Sequence, residues 1–431
     1  MKSFLLERSG LMHHKTVLDN GVRIITEQVE HCRTAAVGIW VDVGSRDEHN
    51  LNNGCAHFVE HMFFKGTAKR TAQQIARELD ILGGTANAYT TRENTCFYAT
   101  VLDSHLPQLV ELFGDLFLHS LFSEEEVERE RQVILQEFSM VEDTPDEQLH
   151  DLFVTDLWGA HPLGYPVLGA REVVAAMDSA KLRHYVEQAY TPDKIVVAAA
   201  GNIDHDRFVE LWRPIFAAAG AGGAGSHLAR QAPTAQEVSR KVYAKPLEQL
   251  HLALGTYGLP LTSPDRYALY LLNVLLGGNM SSRLFQEIRE KRGLAYSIAS
   301  DVSGYSDSGY LSISLGIEPR SANTALELIG REVRRFAEEL VDAEELANGL
   351  EYVRAGLYLS ADNMDARMTR LARNEFCFGR FVSLDEVAAG FARVTAEEIR
   401  ELGKRLFARP LTCSVLGPVE DHHIDWQRLD Q

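Results

Sequence analysis

The chain has 431 residues, of which 45% are apolar and 24% are charged. This balance is typical of a globular protein, and the length favours two domains over one large core. Lysine and arginine total 43 against 61 aspartate and glutamate residues, so the net charge is −18. A chain this acidic is not expected to bind nucleic acid, because phosphate contacts need clustered positive charge.

The N-terminal sequence and the cysteines indicate the compartment. The first residues offer no apolar stretch long enough for a secretory signal, and no run reaches the roughly 18 apolar residues of a membrane-spanning helix. The five cysteines are scattered and contain no Cys-x-x-Cys pair. This pattern argues against a disulfide framework and against a thiolate zinc site. We therefore expect a cytoplasmic protein with no membrane partner.

Apolar and β-branched patterns predict a regular order of elements in the first half of the chain. A helix is expected at residues 54–64, and a hairpin at 85–90 and 95–101 around a turn at 91–94. The other predicted elements are strands at 22–26, 35–43 and 195–200, and helices at 106–118, 123–141 and 179–189.

A run of alanine and glycine at residues 217–226 separates this half from the second. Such residues bury little surface and are typical of a linker. We therefore expect a first domain at residues 1–220, a linker at 221–235 and a second domain at 236–431.

The second half repeats the same order of strand, helix pair, hairpin and helices, which indicates an internal duplication. Because the strands are linked as hairpins and the helices are grouped, we expect an α+β fold with two similar domains, each a largely antiparallel sheet packed with helices. The predicted elements are strands at 250–256, 294–303 and 309–316, helices at 267–276 and 281–291, and further helices up to residue 394.

The pentapeptide His57-Phe58-Val59-Glu60-His61 lies in the first predicted helix. At about 100° per residue, the two histidines and the glutamate share one arc, and apolar residues fill the rest. Histidines at positions i and i+4 can bind one zinc ion through their ring nitrogens. Glu60 can then reach a water at the metal without being a ligand. Such a pentapeptide also occurs by chance, so a structural role stays open at this point.

A catalytic zinc site needs a third protein ligand. The predicted helix at 123–141 carries Glu130 and Glu137 seven residues apart, on nearly the same side and next to an apolar stripe. A charged helix with a solvated face is the alternative. It accounts less well for carboxylates beside a buried stripe, because such groups need partners.

With these residues in place, the sequence resembles the inverzincin zinc peptidases. It is most similar to the single-length branch of the pitrilysin and insulin-degrading enzyme family, which includes the β subunit of the mitochondrial processing peptidase. The family pattern is His-x-x-Glu-His, then a glutamate about 75 residues later with another glutamate seven residues before it. Here residues 62–136, 75 in number, separate His61 from Glu137. The resemblance also covers residues 83–90, 276–285 and 293–297.

The resemblance implies a zinc-dependent endopeptidase that acts on short or extended polypeptides. His57, His61 and Glu137 would bind Zn²⁺ and leave a fourth position for water. Glu60 would be the general base, and Glu130 would orient a ligand histidine or the water.

The resemblance also implies how substrate is held. Asn87 and Ala88 would lie on an edge strand that pairs with the substrate backbone. Arg289 and Tyr296 would contact substrate, and Tyr296 would also stabilise the oxyanion together with zinc. Two chains would form a homodimer, with each site shared between the subunits. Three alternatives stay open: a non-catalytic structural or partner subunit of the same fold, an assembly with a different partner protein, and a protease dedicated to one peptide.

Overall fold

A computed structural model describes residues 12–218, 230–234 and 237–430. Over these residues the chain forms two compact units, each built on one β-sheet. The first unit combines residues up to Ser139 with Tyr165–Arg230 and Leu359–Phe381, and the second combines the remaining segments. The predicted linker lies mostly outside the described residues, so the predicted domain limits stay a prediction.

The first half of the chain supplies six strands and eight α-helices within its described residues. The strands are β1 (Met12–Val17), β2 (Arg23–Gln28), β3 (Thr34–Val41), β4 (Thr85–Thr90), β5 (Thr95–Leu102) and β6 (Ile195–Gly201). The helices are α1 (Cys55–Met62), α2 (Ala72–Leu82), α3 (Leu106–His119), α4 (Glu124–Asp143), α5 (Pro145–Trp158), α6 (Arg171–Ala175), α7 (Ser179–Ala189) and α8 (His205–Ala218).

The sheet of the first unit has the strand order β1-β2-β6-β3-β5-β4. Only β2 and β6 are parallel, and the other neighbours are antiparallel. Helix α1 packs its apolar side onto this sheet, with Phe58, Val59 and Met62 fully buried in the same core as Val37 and Ile39 of β3. The opposite side of α1 is thereby left for its polar residues.

The second half repeats this plan. Its strands are β7 (Arg240–Ala244), β8 (Leu250–Tyr257), β9 (Ala295–Gly304), β10 (Gly309–Ile317) and β11 (Thr412–Gly417). Its α-helices are α9 (Arg266–Leu276), α10 (Ala322–Glu338), α11 (Ala343–Ser360), α12 (Met364–Phe378), α13 (Leu384–Ala392), α14 (Ala396–Leu406) and α15 (Gln427–Asp430). The sheet order is β7-β11-β8-β10-β9, and only β7 and β11 are parallel. The two-sheet α+β fold expected from the sequence is therefore confirmed.

Each unit takes one helix from the other half of the chain. Helix α12 belongs to the first unit, where Met368 and Leu371 pack with Trp40 and Val196 of the sheet. Helix α5 belongs to the second unit, where it packs beside β8 and β11. The compact units therefore differ from the predicted domains by this exchange.

Buried carboxylates hold both exchanged helices. Glu27 on β2 is fully buried and pairs with Arg367 and, at 3.1 Å, with Arg370, both on α12. On α5, Asp156 accepts hydrogen bonds from Lys241 at 2.5 Å and from Ser414 at 2.7 Å. A buried charge is costly unless it is paired, so each pair is satisfied only when its helix is docked.

Two further findings complete the fold. The helix predicted at residues 281–291 contains a π-helix at Phe285–Glu290. Among the helices that the structure describes, none combines the length and the apolar character needed to cross a bilayer.

Candidate metal centre

Helix α1 begins in an unusual way. Its N-cap is Gly54, which has a φ of +101° and no side chain to receive the first amides. A Cβ atom at this position would lie only 2.8 Å from the carbonyl oxygen of Leu168, so the close approach of the two segments requires glycine.

Glu48 takes the place of the missing cap. Its Oε1 accepts a hydrogen bond from the amide of Ala56 at 2.6 Å. Its Oε2 accepts from the amide of Gly54 at 2.8 Å and from the side chain of Asn53 at 2.9 Å. Burial raises the pKa of Glu48 to about 8, although these donated hydrogen bonds act in the opposite direction. The carboxyl group therefore fixes the helical turn that immediately precedes His57.

Two histidines of α1 and one glutamate of α4 converge. Nε2 of His57 lies 3.7 Å from Oε2 of Glu137, and Nε2 of His61 lies 3.6 Å from Oε1 of the same carboxylate. One ligand atom from each residue lies within 4.8 Å of the others. Tetrahedral zinc with bonds near 2.1 Å places its ligand atoms roughly 3.4 Å apart, so the spacing suits this ion.

Buried atoms at this site that lack hydrogen-bond partners also favour the binding of a cation. Oε2 of Glu137 is buried and has no hydrogen-bond partner among the described residues. Burial, helped by the neighbouring His61, lowers the pKa of His57 to about 3, so its ring is neutral and has a lone pair free. A buried carboxylate oxygen and a neutral imidazole are the donors that zinc binds in proteins. Nδ1 of His57 likewise finds no partner within the described part of the chain.

Glu130 holds the second histidine. Nδ1 of His61 donates to Oε2 of Glu130 at 3.1 Å, which directs Nε2 toward Glu137. The other oxygen of Glu130 pairs with Lys65 at 2.6 Å, and its side chain is only 4% exposed. Burial acts to raise the pKa of Glu130, but the contacts with His61 and Lys65 outweigh it and hold the pKa below its ordinary value.

The carboxylates make the position of His61 favourable for positive charge. Burial acts to lower the pKa of this histidine. The hydrogen bond with Glu130 and the charge of Glu137 outweigh burial, and the pKa is raised above its ordinary value. The same negative charges would stabilise a metal cation at Nε2 of His61.

Glu60 lies on the same side of α1 but outside the group of three donors. Its Oε2 accepts a hydrogen bond from the hydroxyl of Thr90 at 2.5 Å. Burial raises the pKa of Glu60, so this carboxylate takes up a proton more readily than an exposed glutamate does. Thr90 is the last residue of β4, and this bond joins the edge strand to α1.

The residues predicted to bind substrate fall into two groups. Asn87 and Ala88 lie on β4, which is an edge strand and pairs only with β5 among the described strands. Arg289 and Tyr296 lie in the second unit, where the guanidinium is 5.4 Å from the centre of the tyrosine ring. Tyr296 is 85% exposed. The structure thus brings together the members of each group.

Comparison with known proteins places this geometry in a family. Residues 23–171 match the family described as Insulinase (Peptidase family M16), and residues 176–352 match the family described as Peptidase M16 inactive domain. The chain belongs to peptidase family M16.

Curated relatives of this M16 chain span nearly its whole length. It is 39% identical over 417 residues to an uncharacterized zinc protease of Streptomyces coelicolor, covering 94% of this chain and 90% of the relative. It is also 39% identical over 399 residues to an uncharacterized zinc protease of Bacillus subtilis, covering 93% and 97%.

Solved structures share the M16 fold at low sequence identity. A protease from Helicobacter pylori superposes with a TM-score of 0.89 at 21% identity, over 94% of this chain and 99% of that chain. A peptidase M16 inactive domain from Pseudomonas fluorescens gives a TM-score of 0.87 at 20% identity, over 95% and 98%.

The sequence interpretation missed three residues that support the M16 site. Lys65 lies three residues beyond the end of α1, so helical spacing gave no signal for it. Glu48 lies in a loop, and Thr90 lies at the end of a strand. Only Glu48 had a signal in the sequence, as an acidic residue ahead of a helix whose N-cap is glycine.

We predict that Glu48→Gln lowers the free energy of unfolding by about 2 kcal/mol, because a donor amide replaces one acceptor oxygen and leaves a buried N–H group unpaired. Urea unfolding measures the change. Glu30→Gln is the matched control, since the Glu30 side chain is exposed and forms no hydrogen bond or ion pair within the described residues. Equal stability of the two variants would show that Glu48 does not hold α1.

Proposed function

We propose that this M16 protein is a zinc-dependent endopeptidase that hydrolyses peptide bonds in short or extended polypeptides. The observation that carries the proposal is the convergence of His57, His61 and Glu137, with Glu60 beside them and outside the donor set. Relatives at 39% identity that are named zinc proteases support it.

The proposed roles follow from the contacts. His57, His61 and Glu137 hold the zinc ion. A zinc ion held there would supply Lewis-acid chemistry, which lowers the pKa of water and polarises a carbonyl group. Glu60 accepts a proton from the attacking water at Oε1, because Thr90 occupies Oε2, and returns it to the leaving amine.

Glu130 acts as a positioning residue. Its carboxylate receives the Nδ1 hydrogen of His61 and so selects the tautomer in which Nε2 is free to bind metal. Lys65 keeps this carboxylate charged and fixed in place. The residue therefore affects the metal through His61 and makes no direct bond to it.

Substrate binding is proposed to use the edge of the first sheet. Asn87 and Ala88 have exposed or partly exposed positions on β4, where the backbone of an extended peptide can add as a further strand. Such pairing selects extended shape more than sequence, so we expect broad specificity. Tyr296 is proposed to donate to the developing oxyanion, and Arg289 to orient the tyrosine ring and the substrate.

We further propose that the active species is a cytoplasmic homodimer in which Arg289 and Tyr296 of one subunit serve the zinc centre of the other. Both sets of residues occur in this one chain, so no different protein is needed to complete a site. A two-fold dimer is the commonest closed assembly.

A non-catalytic subunit of the same fold is the main alternative. A subunit without catalytic function would not need the full set of His57, His61, Glu137 and Glu60, and this chain retains all of them. The complete donor set therefore favours the enzyme.

We predict that Glu60→Gln lowers kcat by roughly 1,000-fold while the zinc content stays at the wild-type level, because the general base is lost and the ligands are not. Peptide hydrolysis and metal analysis after dialysis measure the two effects, and Glu210→Gln on the exposed side of α8 is the control. Zinc lost together with activity would reject the assigned role.

We also predict that Glu137→Gln and Glu130→Gln separate binding from rate. Glu137→Gln should lose zinc, because it removes a ligand charge. Glu130→Gln should keep most of the zinc and lose activity by roughly 10- to 100-fold, since it only loosens His61. The two substitutions lie on one helix and serve as controls for each other. The opposite result, with zinc lost only from Glu130→Gln, would mean that the ligands are wrongly assigned.

A subunit-mixing experiment tests the shared site. We predict that a Glu60→Gln chain mixed with an Arg289→Ala, Tyr296→Phe chain regains activity, because each mixed dimer then has one intact site. If each site uses residues of one chain only, every site in the mixture carries a lesion. No recovery in mixed dimers verified by mass spectrometry would therefore exclude the shared arrangement.

A further inference from the structure

The first unit contains a cavity of about 790 Å³ that is separate from the candidate metal centre. It lies between the segment at residues 43–55 and helices α6 and α7, and none of the proposed zinc ligands lines it. Ligand sites in proteins commonly have volumes of roughly 300–1,000 Å³, so this cavity has room for a small molecule.

Much of the wall is apolar. The apolar and sulfur-containing side chains that line the cavity include Val43, Leu51, Cys55, Met177 and Ala189. Cys55 is the first residue of α1, so anything in the cavity would contact the helix that carries both candidate histidines. An apolar wall of this kind favours a ligand with an apolar body.

Lys194 also lines the cavity. It is half-buried, and its ammonium forms no hydrogen bond or ion pair with any residue that the structure describes. Burial lowers the pKa of Lys194, more than the acids around it restore. An ammonium in this position is a cost to the folded state that an anion would relieve.

Two of the acids near Lys194, Asp47 and Asp42, are held by Arg230, and the third, Asp193, is exposed. Arg230 donates to both carboxylate oxygens of Asp47, at 2.9 and 2.7 Å, and to Asp42 at 2.8 Å. The remaining charged side chains that line the cavity are Lys181 and the exposed Glu172. The cations that face the cavity are therefore in excess of the free carboxylates.

We propose that this cavity binds a small amphipathic carboxylate, with its charged group at Lys194 and its apolar body against Met177 and Cys55. The cavity, the apolar wall and the unpaired ammonium carry this inference, and it does not depend on the peptidase activity. A negative charge alone would not use the apolar wall, and an apolar molecule alone would leave Lys194 unpaired.

Binding of N-acetyl-L-phenylalanine and of its amide to the full-length protein tests the proposal. These probes share one apolar body and differ in the charge. Calorimetry is expected to give a roughly tenfold tighter Kd for the acid, which corresponds to about 1.4 kcal/mol. Lys194→Met should abolish this preference. Lys404→Met should keep it, because Lys404 lies on α14, pairs with Glu401 and does not line the cavity.

Two further variants locate the probe. Ala176→Trp narrows the cavity from an exposed position and should weaken binding of both probes. Glu137→Gln should leave the preference unchanged, because the proposed site for the acid is not the candidate metal centre. The proposal is overturned if neither probe binds, if acid and amide bind equally, if the preference survives Lys194→Met, if Ala176→Trp leaves the affinity of both probes unchanged, or if Glu137→Gln removes the preference.

Discussion

The carboxylate of Glu130 receives a hydrogen bond from His61 and an ion pair from Lys65, and so ties α4 to α1 inside the first core. Glu137 is two helical turns further along α4, and its position opposite the histidines follows from that contact. Because Glu130 is almost fully buried, the contact is shielded from solvent and salt. The alignment of the proposed ligands therefore depends on this junction.

A second buried acid holds the N-terminal end of α1. The carboxylate of Glu48 accepts hydrogen bonds from the amides of Gly54 and Ala56, so a residue of the preceding loop holds the first turn of α1. One carboxyl group thus fixes where α1 starts, and another fixes which way His61 faces. Burying either carboxyl group without partners would be costly. Because both find partners on α1, the contacts that stabilise the fold also set the geometry of the site.

The local part of the site could be predicted from the sequence and the long-range part could not. Helical periodicity placed His57, Glu60 and His61 on one side of a helix, and Glu130 near Glu137 on another. That the two helices meet followed only from the family resemblance, because the 75-residue interval between His61 and Glu137 says nothing about how they pack. Edge strands β1 and β7 escaped prediction, since their polar residues lack a clear alternation.

The exchange of α5 and α12 means that neither half of the chain is complete by itself. A polypeptide consisting of one repeat would leave one side of its sheet bare, because the covering helix docks on the other sheet. Two separate half-length chains would meet this need only by swapping the helix between copies. With both repeats on one polypeptide, neither half is expected to fold fully without the other.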